Sequence, residues 1–168
     1  MNIAIRLAKP ADIPDIVWVC THSVEVYFKD MLPEKYIREV QAPYPDSFKN
    51  MITDDNTTHY VIRKDNKTIA VTCIKPPQDE DVGDNYYEFY GLSVHPDYYG
   101  QGIEVKAMDL IFYTIRNLGK TAVSLWVWDK NIKAIEIYEK CGFTADGKTK
   151  IFDRRDINLN GIRMKRDL

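Results

Sequence analysis

Apolar and polar positions alternate over Ile3-Ala-Ile-Arg-Leu7, which predicts a short strand. Lys9-Pro10-Ala-Asp12 breaks it and opens a helix, along which Ile13, Ile16, Val17, Cys20, Val24 and Phe28 recur at helical spacing. Leu32-Pro33 restarts the chain. Proline is acceptable in a first helical turn, so Glu34 to Val40 reads as a second short helix. The two prolines of Ala42-Pro-Tyr-Pro-Asp-Ser47 predict a loop, with a further helix over Phe48 to Ile52. Thr57 to Arg63 and Thr68 to Ile74 are strand-like and are joined by a turn at Lys64-Asp-Asn-Lys67, so they form a hairpin. A third strand, Tyr86 to Val94, follows the acidic segment Pro76 to Asn85. From Gly102 the pattern becomes helical at Val105, Met108, Leu110, Ile111, Tyr113 and Ile115, and Gly119 stops it near Asn117. Val123 to Val127 is apolar enough for a central strand. Asn131 to Cys141 is a helix with Ala134, Ile135, Ile137 and Tyr138 on its buried side; Gly142 ends it. Phe143 to Phe152 and Asn158 to Arg166 close the chain as a hairpin.

This element order predicts an α/β fold: one mixed, twisted central sheet with helices on both faces. The 168 residues are long enough to bury a substantial core, and with no repeat, low-complexity tract or linker they read as one domain over residues 1–168. A formal net charge of −2 gives no global positive field to attract nucleic acid or an anionic membrane. Residues 148–166 do carry Lys148, Lys150, Arg154, Arg155, Arg163, Lys165 and Arg166, and residues 79–84 are acidic; both stretches read as solvated surface, with an anionic-ligand surface as the alternative for the basic one. Cys20, Cys73 and Cys141 have no metal-like or redox-like spacing, which points to reduced thiols and no metal site. The start, Met1-Asn-Ile-Ala-Ile-Arg, has no signal-peptide pattern and no apolar run is long enough for a bilayer, so a cytoplasmic protein is expected.

Chemistry is concentrated in two blocks. The first is Gly91-Leu-Ser-Val-His-Pro-Asp-Tyr-Tyr-Gly-Gln-Gly102, a strand entering a glycine turn that opens a helix. Exposed N–H groups and the helix dipole make such a turn an anion site, and glycine lets a ligand approach the backbone. The second is Asn131-Ile-Lys-Ala-Ile-Glu-Ile-Tyr138-Glu-Lys-Cys-Gly142-Phe143. Asparagine is a good helix N-cap, and Tyr138, two turns on, shares its face. Together the blocks resemble the core of the GNAT acyltransferases. The likeness extends more loosely over nearly the whole chain, including Ala11-Asp12-Ile13 and Leu32-Pro33-Glu34-Lys35-Tyr36.

That resemblance implies a GNAT-like acyl-CoA N-acyltransferase fold and an enzyme moving an acetyl group from acetyl-CoA to a primary amine by direct attack. Tyr99, Gly100, Gln101, Gly102, Ile103 and Glu104 correspond to the pyrophosphate loop. The loop departs from the family pattern, Gln/Arg-x-x-Gly-x-Gly/Ala, at Tyr99 and Glu104. A carboxylate at 104 is either an obstacle to the pyrophosphate or a first-turn acid that complements the helix dipole. Leu92, Ser93 and Val94 would pair with the pantetheine arm and polarise the thioester carbonyl. Asn131 and Ala134 would contact the arm, and Tyr138 would protonate the departing sulfur. Glu88 is either the general base or an exposed strand residue. His95 reads as structural. His22 and Glu25 are candidates for acceptor contacts, while Tyr27, Phe28, Tyr36, Tyr86, Tyr87, Phe89 and Tyr90 are pocket walls or ordinary core. The acceptor is a small-molecule or peptide amine, with neither nucleic acid nor membrane as partner; exposed edge strands allow a homodimer. The alternative is a GNAT-fold acyl-CoA-binding or regulatory module, with weak or no catalysis because of Tyr99 and Glu104.

Overall fold

In the computed structural model, which describes residues 3–54, 56–154 and 157–168, the opening alternation becomes strand β1 (Ile3–Leu7). Met1 and Asn2 of the N-terminal pattern, Arg155 and the Arg154 side chain of the basic segment lie outside the described residues. A short 3-10 turn at Pro10–Asp12 leads into α1 (Ile13–Tyr27), followed by α2 (Glu34–Gln41) and α3 (Tyr44–Ile52). Then come β2 (Thr58–Lys64), β3 (Lys67–Lys75), β4 (Tyr86–Val94), α4 (Ile103–Asn117), β5 (Ala122–Trp128), α5 (Ile132–Lys140), β6 (Thr144–Arg154) and β7 (Ile157–Asp167). The sheet is mixed and seven-stranded, in the order β1-β2-β3-β4-β5-β7-β6. The chain falls into two compact units, Met1–Lys75 with Gly91–Leu110 and Pro76–Tyr90 with Ile111–Leu168.

In the first unit β1, β2 and β3 form an antiparallel meander. Its β2–β3 connection is two residues, Asp65 and Asn66, both at positive φ (48° and 66°). A two-residue hairpin of this hand matches strand twist, and Asp and Asn tolerate that conformation best after glycine. One core gathers Ile16, Val19 and Cys20 of α1 against Val61 and Val71. The inward face of α1 is therefore Ile16, Val19, Cys20 and Ser23; Ile13, Val17, Val24 and Phe28 of the expected set are only half-buried. A second core holds Ile62, Ile69, Ala70, Val94, Ile103 and Ala107. Arg6 donates a bidentate pair to Asp12 (2.7 and 2.6 Å), and this bond holds the Asp12 carboxyl below its ordinary range.

One expectation fails in this unit. Residues 42–47 were expected to be a loop, yet α3 begins at Tyr44 with Pro45 in its first turn. The first-turn N–H groups have no intrahelical acceptor, so a proline there forfeits no hydrogen bond.

In the second unit the first half of β4 runs parallel to β5, pairing Tyr86 with Ala122 and Phe89 with Leu125. β7 lies between β5 and β6 and is antiparallel to both. Arg163 on β7 is 2% exposed and held by acids from separate segments. It donates to both oxygens of Asp81 (2.6 and 2.7 Å) and to Asp146 (2.8 Å), and stands 3.2 Å from Asp79. Asp79 in turn accepts from the Trp126 indole at 2.9 Å. Two of the four acids in the segment read as solvated surface, Asp79 and Asp81, thus clamp a buried guanidinium. The Arg163 bonds hold the Asp81 carboxyl far below its ordinary range. At Asp146 burial opposes ionisation, but hydrogen bonds from the Lys148 N–H, Lys165 and Arg163 outweigh it and depress the pKa.

Helix α4 buries Ile103, Ala107, Met108, Ile111, Phe112 and Ile115. Val105 and Tyr113, expected among its apolar positions, are 43% and 63% exposed. The expected set spread around most of the circumference; the 3.6-residue period selects Met108, Ile111 and Ile115 from it. Ile111→Ala should therefore cost about 2–5 kcal/mol, whereas Tyr113→Ala should change stability by no more than about 0.5 kcal/mol. Urea unfolding of both variants checks this, and equal costs would mean the helix is rotated from the position described.

Asp81 and Asp146 release their protons more readily in the folded chain than in the unfolded one. The unfolded state then binds more protons in the acid range, so this contribution is complete above the ordinary aspartate value of about 4 and is lost as pH falls through and below it. Arg163→Met should consequently lose more stability at neutral pH than at about pH 2.5, where the unfolded carboxylates are protonated. Urea midpoints at the two pH values test it; parallel losses would show that the acids are not coupled to Arg163.

Candidate active site

The strand-to-helix turn belongs to the first unit. β4 ends at Val94, and the His95 N–H donates to the Ile69 carbonyl at 2.9 Å. The His95 imidazole then accepts from the Asp97 N–H through Nδ1 (3.3 Å) and caps a 3-10 turn over Pro96–Tyr98. Its ring stacks on Trp18 with centroids 3.6 Å apart and planes 11° apart, and burial lowers its pKa. His95 is a cap and a packing surface, as the sequence suggested. His22 also joins this aromatic cluster, with its Nδ1 2.7 Å from the Trp18 carbonyl. Neighbouring Cys20 hydrogen-bonds the Ser93 side chain, and burial pushes its thiol up to about 12, so it is an inert thiol at neutral pH.

Beyond the 3-10 turn, Gly100 and Gly102 both lie in the left-handed region (φ 72° and 74°), and a Cβ built on either would meet nothing within 4 Å. The space over the loop is open, and glycine is demanded there by conformation rather than by crowding. Glu104 turns back onto this loop. It is 7% exposed, and its Oε1 accepts from the Gly100 N–H at 3.2 Å. The carboxylate thus takes a loop amide of the kind that would otherwise face an incoming anion. Beside it the Tyr99 ring meets Tyr27, the last residue of α1, at 4.6 Å. The Gln101 amide donates to the Asp97 carbonyl at 2.7 Å. Val94 and Ile103 are core side chains and Leu92 packs against the same cluster, so these positions can offer a ligand backbone groups only.

The remaining site residues belong to the second unit. Asn131 caps α5, with its Oδ1 accepting from the Ala134 N–H at 3.3 Å. That assigns the oxygen and leaves the Nδ2 donors. Ala134, Ile135, Ile137 and Tyr138 do lie on the inward face, but all are half-buried and α5 has no fully buried residue. The Tyr138 ring meets Phe89 at 5.9 Å and 79°, and Phe143 at 5.9 Å. Burial raises the Tyr138 phenol above its ordinary value, so it keeps its proton at neutral pH.

Glu88 precedes Phe89 on β4, and strand alternation sends their side chains to opposite faces. Tyr138 therefore shares a face with Phe89, and Glu88 occupies the other. Of its two readings, the exposed one is corrected: Glu88 is 5% exposed. Ser124, its register partner on β5, escaped the sequence reading. It is 1% exposed, and its Oγ has no hydrogen-bond partner among the described residues. Only the register of the parallel pair could have found it.

The expected acceptor residues divide. Glu25 lines a cleft of about 340 Å³ between α1 and α2 with Lys29, Glu34, Ile37, Arg38 and Gln41; His22 is not among its walls. Of the aromatic residues, Phe89 is core and Tyr90 is 49% exposed.

Residues 24–143 match the acetyltransferase (GNAT) family. Two curated relatives are the mycothiol acetyltransferases of Propionibacterium freudenreichii subsp. shermanii and Geodermatophilus obscurus. They are 36% and 37% identical over 67 and 76 residues, which is 40% and 44% of this chain and 21% and 23% of theirs. The chain thus spans less than a quarter of those relatives' length. Among solved structures, the PaiA N-acetyltransferase of Thermoplasma acidophilum in complex with coenzyme A superposes with a TM-score of 0.77 at 19% identity, covering all of both chains. The ribosomal-protein-S18-alanine N-acetyltransferase of Escherichia coli gives 0.70 at 16%, over 99% of this chain and 94% of its own. These two similarities carry the fold, and the match over residues 24–143 carries the membership: the chain belongs to the acetyltransferase (GNAT) family.

Proposed function

We propose that this acetyltransferase moves an acetyl group from acetyl-CoA to a primary amine by direct attack, without an acetylated side chain. The observation that carries this reading is the loop at residues 99–104, with two left-handed glycines and open space above them at the start of a fifteen-residue helix. Acetyl-CoA, when bound, supplies an activated acetyl thioester. The loop amides and the α4 dipole would hold its pyrophosphate, the backbone groups of Leu92, Ser93 and Val94 would hold the pantetheine arm, and the Asn131 Nδ2 would add a further donor. A backbone N–H of this strand would stabilise the charge that develops on the thioester oxygen.

Proton handling falls to two residues on opposite faces of the sheet. Tyr138, a phenol kept protonated by burial, donates to the departing sulfur. Glu88 takes the proton from the attacking amine, and Ser124, in register beside it, is its companion in orienting that amine. The division suits a direct route, because the group that receives a proton and the group that delivers one do not compete for one place. The three cysteines are buried, and burial pushes the Cys20 thiol up to about 12, which disfavours that thiol as a nucleophile. The acceptor we propose is a small-molecule or peptide amine.

A second reading is favoured by one contact. With its carboxylate on the Gly100 N–H, Glu104 competes with the pyrophosphate, and the protein would then be a weakly loaded acyl-CoA-binding or regulatory member of the family. Calorimetric titration with acetyl-CoA separates the two, since micromolar binding supports the enzyme reading and binding much weaker than that supports the other.

Tyr138→Phe should keep acetyl-CoA affinity and lower kcat by about a hundredfold. Single-turnover assays with a free-thiol readout measure it, and an unchanged kcat would remove the phenol from the chemistry. Glu88→Gln should lower kcat/KM for the amine by about a hundredfold. An unchanged kcat/KM would leave Glu88 with a packing role.

A further inference from the structure

The Tyr27 hydroxyl has no use in the structure as it stands. Its Oη is shut off from solvent and has no hydrogen-bond partner among the described residues. Buried polar groups are almost always paired, and one that is not calls for an explanation. The surroundings supply one. The Tyr27 ring is held against Tyr99, at the start of the proposed pyrophosphate loop, with centroids 4.6 Å apart. The Glu104 carboxylate is close enough for its charge to reinforce the effect of burial and of Tyr99 in raising the phenol's pKa, so Tyr27 remains a donor at neutral pH. Glu104 itself accepts from the Gly100 N–H at 3.2 Å, a long bond to a single amide, although the carboxylate is buried and can accept several.

We infer that Tyr27 is a positioning residue for coenzyme binding that acts through Glu104: the carboxylate rests on the Gly100 N–H in the free protein and moves to the Tyr27 hydroxyl when an anionic ligand claims that amide. The proposal rests on the reading of residues 99–104 as the pyrophosphate loop. An acid at position 104 is then no permanent obstacle. It satisfies a loop amide while no ligand is present, and it has a ready donor when displaced. A charged hydrogen bond to the phenol offsets the repulsion that a carboxylate left loose beside two phosphates would feel. The departures of Tyr99 and Glu104 from the family pattern also become one feature, since the first holds the ring whose hydroxyl receives the second.

The test is a double-mutant cycle. Coenzyme A binding is measured by calorimetry for the wild type, Tyr27→Phe, Glu104→Ala and the double variant, with thermal unfolding of each ligand-free protein. Tyr27→Phe should weaken coenzyme A binding by about tenfold, and Glu104→Ala should tighten it. In the Glu104→Ala background, Tyr27→Phe should have no effect. The ligand-free Tyr27→Phe protein should unfold at the wild-type temperature or above it, because its hydroxyl has no bond to lose. Equal weakening in both backgrounds overturns the role of Tyr27 and leaves the loop reading intact. So does a lowered unfolding temperature for ligand-free Tyr27→Phe, which would reveal an existing partner. If none of the four proteins binds coenzyme A, the loop reading fails and this proposal fails with it.

Discussion

The first turn of a helix presents amide groups that no carbonyl of the same helix can accept. In α4 that turn follows two left-handed glycines, and the space a side chain would take at either is open. An acceptor has to come from somewhere. Glu104 provides one from within the chain, and a phosphate would provide one from outside. The rest of the first unit is arranged around this turn: the His95 cap fixes the approach, the stack on Trp18 fixes His95, and Ile103 anchors the helix start in the core. The same electrostatics that would make the turn attractive to a diphosphate make it attractive to a side chain four residues on, so any affinity of the turn for such an anion is a difference between two acceptors rather than a property of the loop alone.

Strand β4 imposes the second constraint. Alternation along it decides that Phe89 meets the Tyr138 ring while Glu88 faces the other way. A one-residue slip in the pairing with β5 would exchange them, and the proposed acid and base would change sides. Arg163 guards against such a slip from the far side of β5. It lies directly opposite Trp126, and the acids that hold it come from the segment before β4 and from β6, so the strand positions are tied together by a cluster that a shifted register would break.

Much of this was legible in the sequence because it depends on local rules. Period-2 and period-3.6 patterns located every strand and helix, β4 to the residue, and the Asp65-Asn66 turn was marked by residue type. Where the reading failed, a second rule outweighed the first. Prolines at 43 and 45 suggested a loop, but the first-turn tolerance of proline allowed α3 to begin at Tyr44. Val105 and Tyr113 are apolar enough to suggest core, yet they lie off the face that the helical period selects. The candidate site was legible through Gly100, Gly102, Asn131 and Tyr138, whose spacing is local. Ser124, the Tyr27 hydroxyl without a partner among the described residues, and the function of Asp79, Asp81 and Asp146 were not, because each depends on which segments the fold brings together.

The division of the chain into two units bears on how the protein is made. Neither unit is a continuous stretch: Gly91–Leu110 completes the first, and Pro76–Tyr90 starts the second long before Ile111–Leu168 exists. On a ribosome the N-terminal meander must wait for the glycine turn and the start of α4 before its inner core can close, and the first half of β4 must wait for β5 before it has a parallel neighbour. The second unit stays unfinished until β7 emerges between two strands that precede it in the chain. Nascent β4 is therefore an edge strand during synthesis, with β3 as its neighbour on one side and an open row of backbone groups on the other until β5 arrives.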